Sequence, residues 1–485
     1  RIVEGLEEPP EISDDDSDYE GVYLNRLLSG LYTPGSVFKV VTTAAALEQL
    51  PGVEVAYKDF VYHKTSAEEF ARFFKEDRSD AYLIWTVNLS ISTDVAAIAT
   101  IRSSRPDVPV IVMGPGPTNF AKKMLVDSNV YVVRGEPEET AAELVGALRD
   151  KAPVAGIAGL SYLGEDGSAV SNRPRPLIKD LDSLPFAARH LLGDAVYHNP
   201  KLKLSPYTTL ITSRNCPYRC IYCVPSSLTF ARETEFRREH HRKPTIGFRS
   251  PGNVAQEVAM LAAQGVRAIG FMDDNFIWNE ERTAALCAIM RRHGIVWGCQ
   301  ARVDAITEPI AQMLGESGCR YVDLGVESFS DDILEYIHKG ITSADIYRAI
   351  ALLKKYKVPV KLNVLIGCSP LENKETVRHT LREAKRLDVD QVMFNIVSPF
   401  PGTEYYEICR QNGWLKDDRY VPTDVQRESI LNLPSLSARE MERLLFRNNL
   451  SYFLSWRFIV RQLRRFRSPS ELLAAFRALK IKLFG

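Results

Sequence analysis

The sequence has no net charge. Lys plus Arg and Asp plus Glu both total 61 in 485 residues. That balance argues against a general nucleic-acid binder, which needs surplus basic side chains for the phosphates. No apolar run approaches the roughly 18 residues of a membrane span. No charged start followed by an apolar stretch is visible, so nothing reads as a secretory signal. Eight cysteines are too sparse for a disulfide scaffold and read as reduced thiols in a cytoplasm. There is no internal repeat. The charge that is present is uneven: residues 1–20 carry a net of −8, read as a solvated arm, and residues 457–485 a net of +7.

Residues 53–148 alternate β-rich runs with helical stretches. Strands are expected at 53–60, 80–87, 108–114 and 130–135, and helices at 66–77, 93–104, 118–125 and 137–149. Such alternation implies a parallel sheet with right-handed crossovers, so residues 1–150 are read as a Rossmann-like α/β domain. Residues 151–206 read as a hairpin with a Gly/Asp turn, then a Pro-rich linker, RPRPLIKDLDSLPF. From 208 the alternation resumes, with strands at 208–215, 268–274, 296–303, 321–327, 359–367 and 391–398. Helices such as 252–264, 280–293, 343–356 and 373–386 lie between them. Six strand–helix units are too few for a closed eight-unit barrel. They imply a partial (β/α)6 TIM-like barrel over 207–402, with its chemistry at the carboxyl ends of the strands. Residues 403–485 read as a mainly helical extension.

NCPYRCIYC (215–223) sets Cys216, Cys220 and Cys223 where the first barrel strand ends. Zinc takes four ligands, commonly as two separated pairs, and no second C-x-x-C or histidine pair lies nearby. A [4Fe–4S] cluster normally takes four thiolates, and three leave one iron open to chelate a substrate. On these residues alone a zinc knuckle stands as the alternative. Cys287, Cys299, Cys319 and Cys409 have no ligand spacing and read as small core residues.

The C-x-x-x-C-x-x-C loop after the first strand of a partial barrel resembles the signature of the radical S-adenosylmethionine (SAM) superfamily. The resemblance implies that Cys216, Cys220 and Cys223 hold three irons of a [4Fe–4S] cluster and that SAM chelates the fourth. Reductive cleavage of SAM then gives a 5′-deoxyadenosyl radical. Tyr222 stands where the family has an aromatic residue beside the adenine. GFMDDNF (270–276) ends the second strand with Asp273 and Asp274, suited to the SAM ammonium. CQARVD (299–304) ends the third with Gln300 and Arg302, and Arg302 suits the SAM carboxylate. LGVESFSDDIL (324–334) ends the fourth with Glu327, suited to the ribose hydroxyls. VLIGCSP (364–370) resembles the fifth-strand glycine segment, with Cys368 and Ser369 as departures, and SPFPGTEYYE (398–407) the sixth-strand end.

A Rossmann-like domain ahead of such a barrel resembles the cobalamin-binding subclass. TVNLSIS (86–92), VIVMGPGPTN (110–119) and VVRGEPEET (132–140) carry that likeness. It implies cobalamin contacts at Thr86, Asn88, Ser90, Gly114, Gly116, Gly135 and Glu136. The Asp-x-His-x-x-Gly loop by which cobalamin mutases ligate cobalt is absent, and His63 is the only histidine of residues 1–150. A domain that has lost cobalamin and serves as scaffold is the alternative.

NRLLSGLYTPGSVFKVVTTAAALE (25–48) resembles the nucleophile segment of penicillin-binding transpeptidases, with Ser36 and Lys39 as S-x-x-K. The partner motifs that chemistry needs appear only as KTS (64–66) and SRN (213–215), in reversed order. Residues 34–49 are therefore read as the first helix of the N-terminal domain, with Pro34 near its start. At the other end Arg457, Arg461 and Arg464 recur at helix spacing, with Phe453, Trp456, Ile459, Val460 and Leu463 mainly opposite. Such a helix either packs on the barrel or lies on an anionic membrane. RQLRRFRSPSELLAAFRALK (461–480) resembles the subgroup of the anaerobic magnesium-protoporphyrin ester cyclase and hopanoid methylases.

The resulting expectation is a cobalamin-dependent radical SAM methyltransferase acting at an unactivated carbon of a small or lipid-like substrate. An electron donor such as flavodoxin or ferredoxin is implied, and no nucleic acid. The enzyme is expected in the cytoplasm, with peripheral contact to the inner membrane face through the basic helix. A radical oxidative cyclase of the porphyrin-ester type and a non-catalytic iron–sulfur electron carrier are the alternatives.

Overall fold

Runs of β-branched residues between helical stretches give two α/β sheets in the computed structural model. It describes residues 35–60, 65–87, 90–193, 197, 199, 201–202, 204–417 and 425–463. The first sheet contains β1 (Tyr82–Trp85), β2 (Val110–Met113), β3 (Val130–Val133), β4 (Leu160–Leu163) and β5 (Ala169–Ser171), in that spatial order. β1 to β3 are parallel, whereas β4 and β5 form the expected hairpin and add antiparallel to β3. The VIVM run of β2 is wholly buried because helices cover both faces. Ile98, Ile101, Val110 and Val112 pack on one side, and Ile111, Met113 and Leu144 on the other. The helix Gly35–Leu47 forms as expected and packs beside the helix Pro137–Arg149, while Pro34 lies outside the described residues.

The strand expected at 53–60 is absent. The segment does alternate half-buried and exposed positions, but side-chain packing rather than a neighbouring strand satisfies its apolar residues. Val55 packs against the cluster of Ala44, Ala45 and Ala188, and Tyr57 against the cluster that holds Tyr207 and Ala268. Phe60 places its ring 4.8, 5.2 and 5.7 Å from those of Phe70, Phe73 and Phe74.

The second sheet takes up the barrel region. β6 (Tyr207–Leu210) is followed by a two-stranded ribbon of β7 (Ser213–Arg214) and β8 (Gly247–Phe248). Then come β9 (Ala268–Phe271), β10 (Val296–Arg302), β11 (Cys319–Glu327), β12 (Val360–Ile366) and β13 (Gln391–Ile396). The order is β13-β12-β11-β10-β9-β6, parallel throughout. β6 and β13 do not pair, so the six-unit barrel is open on one side. Alternate residues such as Phe271, Trp297, Cys299, Leu324 and Val364 join the core beneath the outer helices. The intervening positions of β10, β11 and β12 carry the polar side chains Gln300, Arg302, Asp323, Glu327, Lys361 and Asn363. Cys287, Cys299, Cys319 and Cys409 are buried as expected.

The linker is fastened to the barrel. Asp182 accepts the Ser250 N–H at 2.8 Å, and Arg189 pairs with Glu257 at 2.5 Å. Beyond the barrel lie helices Glu404–Gln411, Ala438–Phe453 and Trp456–Leu463. In the last of these the expected apolar face is corrected. Phe458 packs on Tyr452 and Phe453 at 5.2 and 5.1 Å, while Trp456 is 76% exposed. Arg464 lies outside the described residues. Among the described residues no helix is long and apolar enough to cross a membrane.

Candidate active site

Beyond β7 the chain enters an irregular segment that carries Cys216, Cys220 and Cys223 and ends at the helix Ser227–His240. Asn215 opens it at φ +80°, a left-handed conformation that Asn tolerates better than most side chains. Its N–H reaches the Thr229 hydroxyl at 3.3 Å and its Nδ2 reaches Glu233 at 3.1 Å. Asp273 accepts from the Thr212 N–H (3.0 Å), the Thr212 hydroxyl (2.9 Å) and the Ser213 hydroxyl (2.6 Å). Asp274 accepts from the Ser226 N–H (2.6 Å) and the Thr229 hydroxyl (2.5 Å). The two carboxylates at the end of β9 thus hold both ends of the cysteine loop. Asp273 is 1% exposed, whereas Asp274 is half-buried. Burial pushes the Asp273 carboxyl up to about 6 despite these donors.

Cys216 and Cys220 are half-buried, Cys223 is exposed, and none is in a disulfide. Among the described residues no three Cys, His, Asp or Glu side chains close on a single point. A zinc ion needs that convergence, whereas the irons of a cube spread its thiolates apart. Three free thiols on one short loop fit the cluster.

Opposite the loop stands a group of charges. Arg302 binds Asp304 through Nε and Nη2 at 2.9 and 3.0 Å, and Nη2 also donates to the Lys339 carbonyl at 2.6 Å. Its guanidinium lies 3.5 Å over the Tyr218 ring, and Nη1 points to Cys220 Sγ at 4.0 Å. These contacts set the Arg302 charge beside the cysteine loop. Glu327, at φ +63°, accepts from Lys339 Nζ at 2.8 Å, and the same ammonium reaches the Tyr222 hydroxyl at 3.2 Å. Burial pulls the Lys339 ammonium down, but Glu327, with Cys220, outweighs it and holds the group above its ordinary value. A Cβ on Gly325 would come within 2.7 Å of Glu327 Oε1 and 2.9 Å of Lys339 Nζ, so that glycine makes room for the pair. Lys339 escaped the sequence reading, since nothing in YIHKGIT separates it from a surface lysine. Gln300 is exposed and remains available to a ligand in the bore.

The residues expected to contact cobalamin do not form an open face. Gly114 and Gly116 are spent on close packing, because a Cβ would meet Thr86 O at 2.5 Å and Thr86 Cγ2 at 2.9 Å respectively. Ser90 opens the helix Ile91–Ser104 and donates to Asp94 at 2.6 Å. Gly135 faces the barrel helix Ser227–His240, with Glu235 Cβ 3.2 Å from its would-be Cβ. Glu136 is paired with Arg214 (2.6 Å) and Arg232 (3.1 Å) and accepts the Ile178 N–H (2.8 Å). Only Thr86 keeps a buried hydroxyl with no hydrogen-bond partner. Asn88 lies outside the described residues. Thr86 is thus the one of these described residues with a buried polar atom left over for a ligand.

The transpeptidase partners do not assemble either. Ser213 is bound to Asp273 and Asn215 to Glu233 inside the barrel rim. Lys64, and the side chains of Ser36 and Lys39, lie outside the described residues.

Residues 210–409 match the radical SAM superfamily model, and residues 10–74 match the penicillin binding protein transpeptidase domain. The chain is 31% identical over 390 residues to an uncharacterized methyltransferase of Pyrococcus horikoshii, covering 78% of this chain and 80% of that one. It is 23% identical to the anaerobic magnesium-protoporphyrin IX monomethyl ester cyclase of Synechocystis, covering 66% of this chain and 62% of the cyclase. Among solved structures, the methyltransferase TsrM of Kitasatospora setae, with cobalamin and a [4Fe–4S] cluster bound, superposes at TM-score 0.60 and 22% identity. That match covers 78% of this chain and 73% of TsrM. OxsB, a cobalamin-dependent SAM radical enzyme with aqua-cobalamin and SAM bound, superposes at 0.64 and 16%, covering 92% of this chain and 69% of OxsB.

Proposed function

The chain belongs to the radical SAM superfamily, and from that premise we propose that it methylates an unactivated carbon of a small or lipid-like substrate. The observation that carries this reading is the free three-thiol loop, fixed at both ends at the carboxyl edge of an open barrel. Cys216, Cys220 and Cys223 would hold a [4Fe–4S] cluster, which would supply the electron for SAM cleavage. The chain's own residues do the positioning. Arg302 sets a fixed cation beside Cys220, Lys339 ties Glu327 to Tyr222, and Gln300 faces the bore. A flavodoxin or ferredoxin would deliver the electron. No nucleic acid is required. The exposed Leu454 and Trp456 beside the basic tail offer a peripheral membrane contact on the cytoplasmic side.

Cobalamin as methyl carrier is supported by the fold shared with TsrM and OxsB. Thr86, whose buried hydroxyl has no partner, is the residue of this domain best placed to meet it. The cyclase reading is favoured by the Synechocystis relative and uses the same SAM cleavage without methyl transfer. The test is oxygen-free purification and reconstitution, an absorbance scan, and assay of 5′-deoxyadenosine after reduction with SAM. Cluster absorbance with deoxyadenosine, both lost in a Cys216→Ala, Cys220→Ala, Cys223→Ala triple variant, is expected. Zinc in the loop would overturn the reading. A product heavier by one methyl group separates methylation from cyclisation.

A further inference from the structure

Most ties to the cysteine loop come from within the barrel: Asp273, Asp274, Glu233, Ile337 and Tyr405. One does not. Arg214, two residues before Cys216 and 6% exposed, sends Nη1 to Glu136 at 2.6 Å and Nη2 to Glu138 at 2.7 Å. Both glutamates belong to the turn and helix that follow β3, in the other sheet. The remaining arginine–glutamate pairs at this boundary, Arg134–Glu235 and Arg232–Glu136, reach the helix Ser227–His240 and leave the loop alone.

We propose that Glu138, together with Glu136, is a positioning residue that fixes the start of the cluster loop from the N-terminal domain through Arg214. The two carboxylates grip both arms of one guanidinium, which restrains its orientation as well as its distance. Arg214 pairs with Gly247 and precedes Asn215 at φ +80°, so a shift of its side chain is passed to the first cysteine with little slack. The glycine–glutamate turn that resembles a cobalamin contact thereby acts on the iron site instead. The inference rests on the cluster reading above.

Glu138→Gln tests it in the reconstituted full chain, because Glu138 bonds to Arg214 while Glu136 also serves Arg232 and Ile178. The readouts are the electron paramagnetic resonance signal of the reduced cluster with and without SAM, and the rate of 5′-deoxyadenosine formation. Glu138→Gln is expected to keep iron content, broaden or shift the SAM-induced signal, and slow SAM cleavage about tenfold. Glu138→Asp, which keeps the charge but shortens the reach, gives a smaller shift in the same sense. Glu235→Gln, which loosens the same boundary without touching Arg214, lowers thermal stability and leaves the signal unchanged. Parental signals in both Glu138 variants, or an equal disturbance in Glu235→Gln, overturn the proposal. A parent with no cluster signal overturns the cluster reading and the proposal together.

Discussion

Replacing Lys339 by Met keeps the length of the side chain and removes its charge. Lys339 and Glu327 are 8% and 7% exposed and 2.8 Å apart. Without the ammonium, Glu327 is a buried carboxylate with no cation against it. Loss of one partner of a buried pair costs about 3–5 kcal/mol. Urea unfolding of the full chain under reducing conditions at pH 7 measures it. Lys339→Met with Glu327→Gln is expected to recover most of the loss, since no charge is then stranded. A penalty below about 1 kcal/mol at pH 7, or a double variant equal to the sum of the singles, refutes the reasoning.

Gly325→Ala forces a methyl against both members of that pair and is expected to cost about 1–3 kcal/mol in the same assay, with an unchanged stability as the contrary result. Burial raises the Asp273 carboxyl to about 6, so its contribution is complete below the ordinary carboxylate range and is lost as pH rises through 6. The parent should therefore lose about 1 kcal/mol relative to Asp273→Asn between pH 5 and 7, and parallel pH–stability curves would contradict this. Glu440, held down to about 2 first by Lys374 and then by the Ser437 cap, works the other way. Its contribution is present above pH 4.5 and fades toward pH 2, so the difference in stability between the parent and Glu440→Gln should close over that range in acid titrations.

The parallel strands were legible because period and composition agree: β2 is four consecutive buried β-branched or Met residues, and all six barrel strands fall where the sequence puts them. Residues 53–60 show the limit. An alternating pattern reports that one side is buried, not what buries it, and here rings and aliphatic side chains do so without strand pairing. The thiol loop was legible for a different reason. Metal chemistry demands particular residue types at short spacing, which chance seldom supplies. Roles for single strand-end residues were not. Asp273, Asp274 and Arg302 sit at the rim as expected, yet which way each side chain turns depends on partners tens of residues away: Thr212, Ser226 and Lys339. Lys339 had no local signal at all, because its burial is decided by the loop it meets.

The cysteine loop makes few backbone hydrogen bonds of its own. Cys223 N–H to Cys220 O at 3.2 Å is one, and its shape must otherwise be imposed from outside. Ile221 shows how. It is buried, gives its N–H to the Ile337 carbonyl at 3.2 Å and takes the Tyr405 N–H at 3.0 Å, so the middle of the loop is clamped between two elements. With Asp273 and Asp274 at the ends, the clamp holds the chain on either side of the thiols. Small metal sites commonly have no preformed state, so that binding free energy is spent on ordering the ligands. Here the ordering is carried by side chains that touch no metal. A cluster held by Cys216, Cys220 and Cys223 would meet a backbone already held from several sides.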